Sequence, residues 1–588
     1  MYENLNKFEK TAFSALSVFL VVFYVTAAVW IPAPTEYHRG IYVLITYILV
    51  FMLYKSSNPL LRILDYVLMI AASGSVLYWI YNYENLNYRA GMESDIDQYV
   101  AAIGVILGIE IARRAVGFVF VIIGVVMLIY GVYGEYAPDL IMHPGDSFLG
   151  VCTTIFFRED GVFGIMANVL ATYVLLFVLF GAFLEQSGAQ KFFIDFPLAA
   201  VGHKTGGPAK VAVIASAMFG SISGSAIANT VSTGAFTIPL MKKAGFKPQV
   251  AGAIEPAASI GGMFMPPIMG AGGFIMAELT GVPYSYIMII AIFPAAMYFF
   301  SVFVMVHYEA KAHNITGDKS ARSAMEIFKS EWYYMAPLII ITILMLYGYS
   351  AGFAAVVGIG TCIAVSWVKD NDSRIKLKGF VEAARKGTES SLKIGATVGI
   401  IGIIISMLTF SGLILTFADI VIELAGGSLV MTIALIALAS LVLGMGVPVT
   451  AAYLITAVVA VPALTHLGVN PLAAHMIVYW LSQGSNISPP VCIAAFAGAA
   501  IAKAPMWPTA FNAFKFAKFL YVGPFLFAYV PQFSLLPKFE YDNFVGINLD
   551  WSVVLWFAII IAGNFVVSYF LSFSWYYNIK RRLAASKA

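Results

Sequence analysis

The chain has 588 residues, 61% hydrophobic and only 11% charged, with a net charge of +3 and a mean hydropathy of +0.86. A water-soluble protein carries roughly a quarter charged residues, so this composition excludes a soluble globule and describes an integral membrane protein. The basic residues sit in short loops and give no ground for nucleic-acid binding, and Cys152, Cys362 and Cys492 are too scattered to form a metal-ligand set.

The first apolar stretch, 13–30, follows Lys7 and Lys10 but has no small-residue cleavage site before Pro32, so it reads as a retained span. Spans are expected near 11–32, 38–55, 62–81 and 115–134, close to the ~17–25 apolar residues that a bilayer requires. A weaker one near 98–112 contains Glu110; without it every later loop would change sides. Basic loops at 7–10, 55–62, 113–114, 191–210, 242–247, 311–329, 369–393, 503–518 and 580–587 read as cytoplasmic, whereas 81–98 and 134–146 read as external. Residues 163–186 return the chain to the cytoplasm, and 191–201 mixes phenylalanines with Lys191 and Asp195, as a helix lying in the interface does.

The segment 208–240 begins and ends among cytoplasmic lysines and carries a Gly-Ser-rich centre, so it is expected to be a re-entrant hairpin. A copy of this region follows 223 positions later without a gap: Pro239, Gly245, Pro248, Ser259, Gly261, Pro266 and Pro267 fall on Pro462, Gly468, Pro471, Ser482, Gly484, Pro489 and Pro490. No Lys or Arg occurs from 394 to 502, so the second hairpin, 428–464, opens to the outside, with 413–424 as its interfacial arm. Segments 249–280 and 471–502 are too long for simple spans and hold the Pro-Pro pairs centrally, which predicts two broken helices. Matching Gly/Pro interruptions in two halves point to the binding site of a secondary transporter.

A hairpin tip beside a broken helix gathers carbonyls and hydroxyls suited to Na⁺, and half-helix N-termini suit a carboxylate. The first-copy candidates are Ser223, Gly224, Ser225 and Asn229 with Ser259, Gly261 and Gly262. In the second copy they are Gly446, Val447 and Thr450 with Ser482, Gln483, Ser485, Asn486 and Ser488. Small residues also let helices pack closely, the simpler reading for Gly252 and Ala257. Two ionisable residues lie inside the broken helices, Glu255 and His475. Either is a candidate proton relay, with a structural hydrogen bond as the alternative for His475. Nucleotide-binding loops, zinc-hydrolase motifs and nucleophile elbows are missing, which argues against an enzyme and for transport driven by an ion gradient.

The run GGPAKVAVIASAMFGSISGSAIANTVSTGAFTIPLMKKAGF at 206–246, followed by MPPIMGAGGFIMAE at 265–278, resembles the large membrane subunit of tripartite ATP-independent periplasmic (TRAP) transporters. The resemblance is greatest to the branch with a TAXI-type binding protein and fused small and large membrane subunits. It implies an all-α elevator-type fold with inverted repeats, two re-entrant hairpins and two broken helices, in a bacterial inner membrane. It places ion sites at 223–229 with 261–267, Pro266 included, and at 446–450 with 482–489. It also implies an extracytoplasmic binding protein as partner, a small organic acid as cargo, Na⁺ or H⁺ as coupling ion, no other cofactor, and a single-chain permease in membrane lipid. Relatives commonly read Gly-Gly-Gln before the Pro-Pro, where this chain has Met263-Phe264 after its two glycines.

The expected organisation is a small-subunit-like scaffold at 1–140, a first repeat at 145–310, scaffold helices and a linker at 311–390, a second repeat at 391–535, and an extra helix with a basic tail at 536–588. The expected function is import of a carboxylate or dicarboxylate by Na⁺ symport. Its rivals are a proton-coupled version, a stand-alone dicarboxylate symporter, and a channel. A channel would present a continuous polar pore, whereas polarity here is confined to two broken centres.

Overall fold

The computed structural model describes residues 2–56, 58–317, 322–368, 374–534, 537–540, 543–547, 551–573 and 575–577. Among them, ten helices are long and apolar enough to cross a membrane. The all-helical expectation holds apart from one short antiparallel ribbon, Pro537–Glu540 with Asn543–Ile547. The basic tail from 578 onward lies outside the described residues. Contacts divide the chain into two compact units, each assembled from separate stretches of sequence.

The first unit holds Met1–Ser187, Tyr349–Leu435 and Leu443–Leu467. Its opening helix, Lys7–Val29, starts at a capping box in which Asn6 accepts from the Glu9 amide and Glu9 accepts from that of Asn6. The weak segment near 98–112 is a continuous helix, Asp95–Ala115, begun by Ser94 and Asp97 in the same way and ended by Arg113 and Arg114. Acidic residues in the first turn and basic ones in the last both complement the helix dipole. This helix packs on Phe148–Phe157 and Val398–Phe410, and its Gly108 meets Gly399 so closely that a Cβ on Gly399 would lie 2.8 Å from the Gly108 Cα. Trp79 stacks on Phe163 at 3.7 Å between ring centroids. The N-terminal helices therefore share one core with segments drawn from beyond residue 148.

The segment expected as the second hairpin forms two helices, Leu429–Leu443 and Val449–His466, and the segment expected as its arm is the helix Leu413–Leu424, which packs on Val449–His466. The arm follows Gly412 in the left-handed conformation, just as the first arm, Ala189–Val201, follows left-handed Gly188.

The second unit contains Gly188–Gly348, Ile436–Val442 and Gly468–Ala588. It holds the first hairpin, Gly207–Ser223 and Ala226–Lys243, and both broken helices, Pro248–Gly261 with Gly272–Thr280 and Pro471–Ser482 with Ile493–Ala502. The repeat extends to the backbone. Both Pro-Pro bonds are cis, and Met269 and Cys492, equivalent by the same shift, both take positive φ, at 54° and 47°. The two broken helices touch through glycine: a Cβ on Gly498 would sit 2.2 Å from the Gly252 carbonyl oxygen and 2.7 Å from Pro256 Cγ. The C-terminal helix Trp551–Leu571 packs along Tyr284–Ala312, with Phe557 stacked on Phe293.

Candidate functional site

The tip of the first hairpin turns at Gly224, φ +62°, and Ser225 caps the returning helix by accepting from the Ala228 amide at 3.3 Å. Ser223 donates to the Ser225 carbonyl at 3.4 Å. Below the tip the outgoing arm presses on the first break: a Cβ on Gly262 would lie 2.4 Å from the Gly220 Cα. Gly261 faces Phe299 and Tyr298, with room for no side chain. Both glycines act as packing surfaces here. Pro266 lines an apolar cavity of about 340 Å³ with Met218, Ser221 and Met335.

Glu255, fully buried in the first broken helix, is enclosed by hydroxyls from both hairpin arms. Ser216 donates to it at 2.5 Å, and Thr233 and Thr237 donate as well. Among the described residues it forms no ion pair. Asn229, expected as an ion ligand, ties the arms together: its amide donates to the Ser216 carbonyl at 3.1 Å and its oxygen accepts from Thr233 at 3.4 Å. Both threonines also reach backbone acceptors, Thr233 the Asn229 carbonyl at 2.7 Å and Thr237 the Thr233 carbonyl at 3.1 Å. The cluster can therefore serve either protonation state. An ionised carboxylate accepts all three hydroxyls, whereas a protonated one can donate while the threonine protons turn to the backbone.

Four carbonyls of the first break lie within hydrogen-bond reach of two tyrosine hydroxyls. Tyr479, from the second broken helix, places its hydroxyl 2.7 Å from the Met263 oxygen and 2.6 Å from that of Met269. Tyr284 does the same for Pro267, at 2.8 Å, and Ile268, at 2.5 Å. Phenylalanine in place of Tyr479 is expected to lower stability by about 1–3 kcal/mol, because it leaves buried acceptors without a donor. Thermal unfolding in detergent measures this; an unchanged midpoint would mean that the hydroxyl does not hold the break.

The second break differs. Gln483 is fully buried and neither of its amide atoms has a hydrogen-bond partner, and the Asn486 amide nitrogen is likewise unpartnered. Ser482 donates to the Tyr479 carbonyl at 2.8 Å and Ser485 to the Ser482 carbonyl at 3.4 Å, while Ser488 hydrogen-bonds the Tyr521 hydroxyl. In the first copy the Ser259 hydroxyl is buried and unpartnered. His475 lies in the first half of its helix, buried. In the first unit, Gly446 lies in the turn before Val449–His466 at φ +70°, where an added Cβ would meet no atom within 4 Å, and Val447 and Thr450 are buried beside it in sequence.

Ser216, Thr233, Thr237, Tyr284 and Tyr479 were not among the expected residues. The two threonines carried a usable signal: Asn229, Thr233 and Thr237 repeat every four residues, one polar stripe along a single helix face. The tyrosines had none, since which backbone carbonyl a tyrosine reaches depends on how the segments fold together.

Residues 103–533 match the family described as the tripartite ATP-independent periplasmic transporter, DctM component. The C4-dicarboxylate TRAP transporter large permease protein DctM of Pseudomonas aeruginosa is 27% identical over 410 residues, covering 66% of this chain and 92% of the relative. The sialic acid TRAP transporter large permease protein SiaM of Vibrio cholerae is 24% identical, covering 65% and 90%. The 2,3-diketo-L-gulonate TRAP transporter large permease protein YiaN of Escherichia coli is 24% identical, covering 61% and 84%. Nearly the whole of each permease has its counterpart here, while the residues before 103 lie outside the family match. The match spans most of this apolar, many-helix chain, which therefore belongs to the large-permease (DctM) family of TRAP transporters, multi-pass proteins of the inner membrane that transport solutes and are not enzymes.

Proposed function

We propose that the chain is the permease of a secondary transporter that takes a small organic acid from an extracytoplasmic binding protein and imports it by Na⁺ symport. Residues 1–140 serve as the fused small-subunit scaffold, the partner is of the TAXI type, and the hairpins and broken helices move as an elevator. The relatives are named for C4-dicarboxylate, sialic acid and diketogulonate, all carboxylates, which supports an acidic cargo here.

The observation that carries this reading is the unpartnered Gln483 and Asn486 pair at the second break. Leaving a buried amide unpaired costs about 1–3 kcal/mol, a cost that a bound ion or carboxylate would offset. Amide oxygens suit Na⁺ and amide N–H groups suit a carboxylate. The first break has no such amide, and four of its carbonyls share two tyrosine hydroxyls, so the second copy is the better place for ligand. Uptake by proteoliposomes with the binding protein present should stop when choline replaces Na⁺. Asn486→Ala should raise the Na⁺ concentration needed for half-maximal uptake about tenfold. Uptake that ignores Na⁺ would sink the sodium assignment.

A proton-coupled version is the second reading. The hydroxyl cage around Glu255, able to serve both protonation states, favours it.

A further inference from the structure

A cavity of about 840 Å³ lies in the first unit, where the start of Lys7–Val29, the end of Thr35–Leu53, the start of Pro59–Tyr88 and the end of Asp95–Ala115 converge. Its size is within the ~300–1,000 Å³ usual for small-ligand sites. No role considered so far uses it. Four cations line it: Lys55, Arg62, Arg113 and Arg114. Three carboxylates answer them. Lys55 pairs with Glu9, Arg114 with Asp65 at 2.6 Å, and Glu110 is shared between Arg113 and Arg114 at 2.6 Å each. Arg62 is left over: among the described residues it forms no ion pair, and its buried Nε has no hydrogen-bond partner.

The same cavity has an apolar side. Leu61, Leu64 and Leu68 line it at helical spacing, one track running from the turn of Arg62 along its helix, and Leu61 and Leu64 are exposed. A surplus cation at one end and an apolar track leading away from it match a molecule that is anionic at one end and hydrocarbon at the other. We infer that this cavity binds an anionic phospholipid, with the phosphate on Arg62 and Arg113 and an acyl chain along Leu61, Leu64 and Leu68. Basic pockets between membrane helices bind lipid headgroups in this manner, and guanidinium suits phosphate geometry. A free phosphate would use the cations but not the leucines.

The test is native mass spectrometry of the full chain in detergent with dioleoyl phosphatidylglycerol, dioleoyl phosphatidylcholine or inorganic phosphate. Phosphatidylglycerol should be retained over phosphatidylcholine. Arg62→Gln should weaken that retention about fivefold, the contribution of one basic residue near an anionic headgroup, and Arg62→Lys should restore most of it. Leu64→Gln should weaken it as well. Arg62 anchors no ion pair, so its variants should unfold at the native temperature. Retention unchanged in Arg62→Gln, or phosphatidylcholine held equally, overturns the proposal. Displacement of the lipid by inorganic phosphate at comparable concentration would make this a free-anion site and overturn it too.

Discussion

Proteoliposomes containing this chain alone are expected to accumulate almost no organic acid, and adding the cognate extracytoplasmic binding protein is expected to restore uptake. The effect should be large. A docked carrier presents its solute at a millimolar effective concentration, so at micromolar free solute the gain is on the order of 10²–10³. Radiolabelled uptake with and without the binding protein measures it, on the same vesicles and the same Na⁺ gradient. Full uptake without the partner would favour the stand-alone symporter and remove the reason for reading 1–140 as a scaffold for a partnered system.

Glu255 is tested by two substitutions. Leucine removes the acceptor for Ser216, whose hydroxyl is buried and whose other neighbour is the Thr233 hydroxyl at 3.2 Å. Thr233 and Thr237 keep their backbone acceptors, and Ser216 can turn its proton to the Thr233 oxygen, so the expected cost is that of hydrogen bonds lost without a stranded donor, about 1 kcal/mol, and the protein should stay folded. Glutamine keeps the size and one acceptor oxygen, so Glu255→Gln should stay folded as well. On the sodium reading it should retain uptake within about twofold, since a change below ~0.4 kcal/mol is no more than that. Loss of uptake in a folded Glu255→Gln protein, together with pH-driven uptake by the native chain in Na⁺-free buffer, would transfer the coupling to Glu255.

Much of the fold was legible because it is written in backbone chemistry. Proline cannot continue a helix unaided and glycine permits left-handed turns, so Pro266-Pro267 and Pro489-Pro490 marked both breaks, and the helix pairs at 207–243 and 429–466 begin and end within a few residues of 208–240 and 428–464. The segment near 98–112, weak by hydropathy, is a full helix because Ser94 and Asp97 cap it and Arg113 and Arg114 close it. The ribbon after 536 gave no signal, since strands of four and five residues are too short to show the periodicity by which strands are recognised. At the candidate site the sequence indicated which segments are polar but not which groups are already engaged. Asn229 and Gln483 look alike as residues. One bridges two hairpin arms and the other has no partner, a distinction that depends on distant chain segments meeting.

The glycine seams bear on how such a permease acquires a new cargo. Where Gly220 meets Gly262 and Gly252 meets Gly498, each glycine faces backbone atoms of another segment, so any added side chain must push a whole helix aside. Drift at those positions is closed to a lineage, whatever solute its surroundings offer. Gln483 has unanswered polar atoms at both ends of its amide, and its side chain can change without moving a backbone. Divergence among permeases of this build should therefore gather at the second break and in the partner that delivers the solute, while the seams stay fixed across lineages with unlike diets.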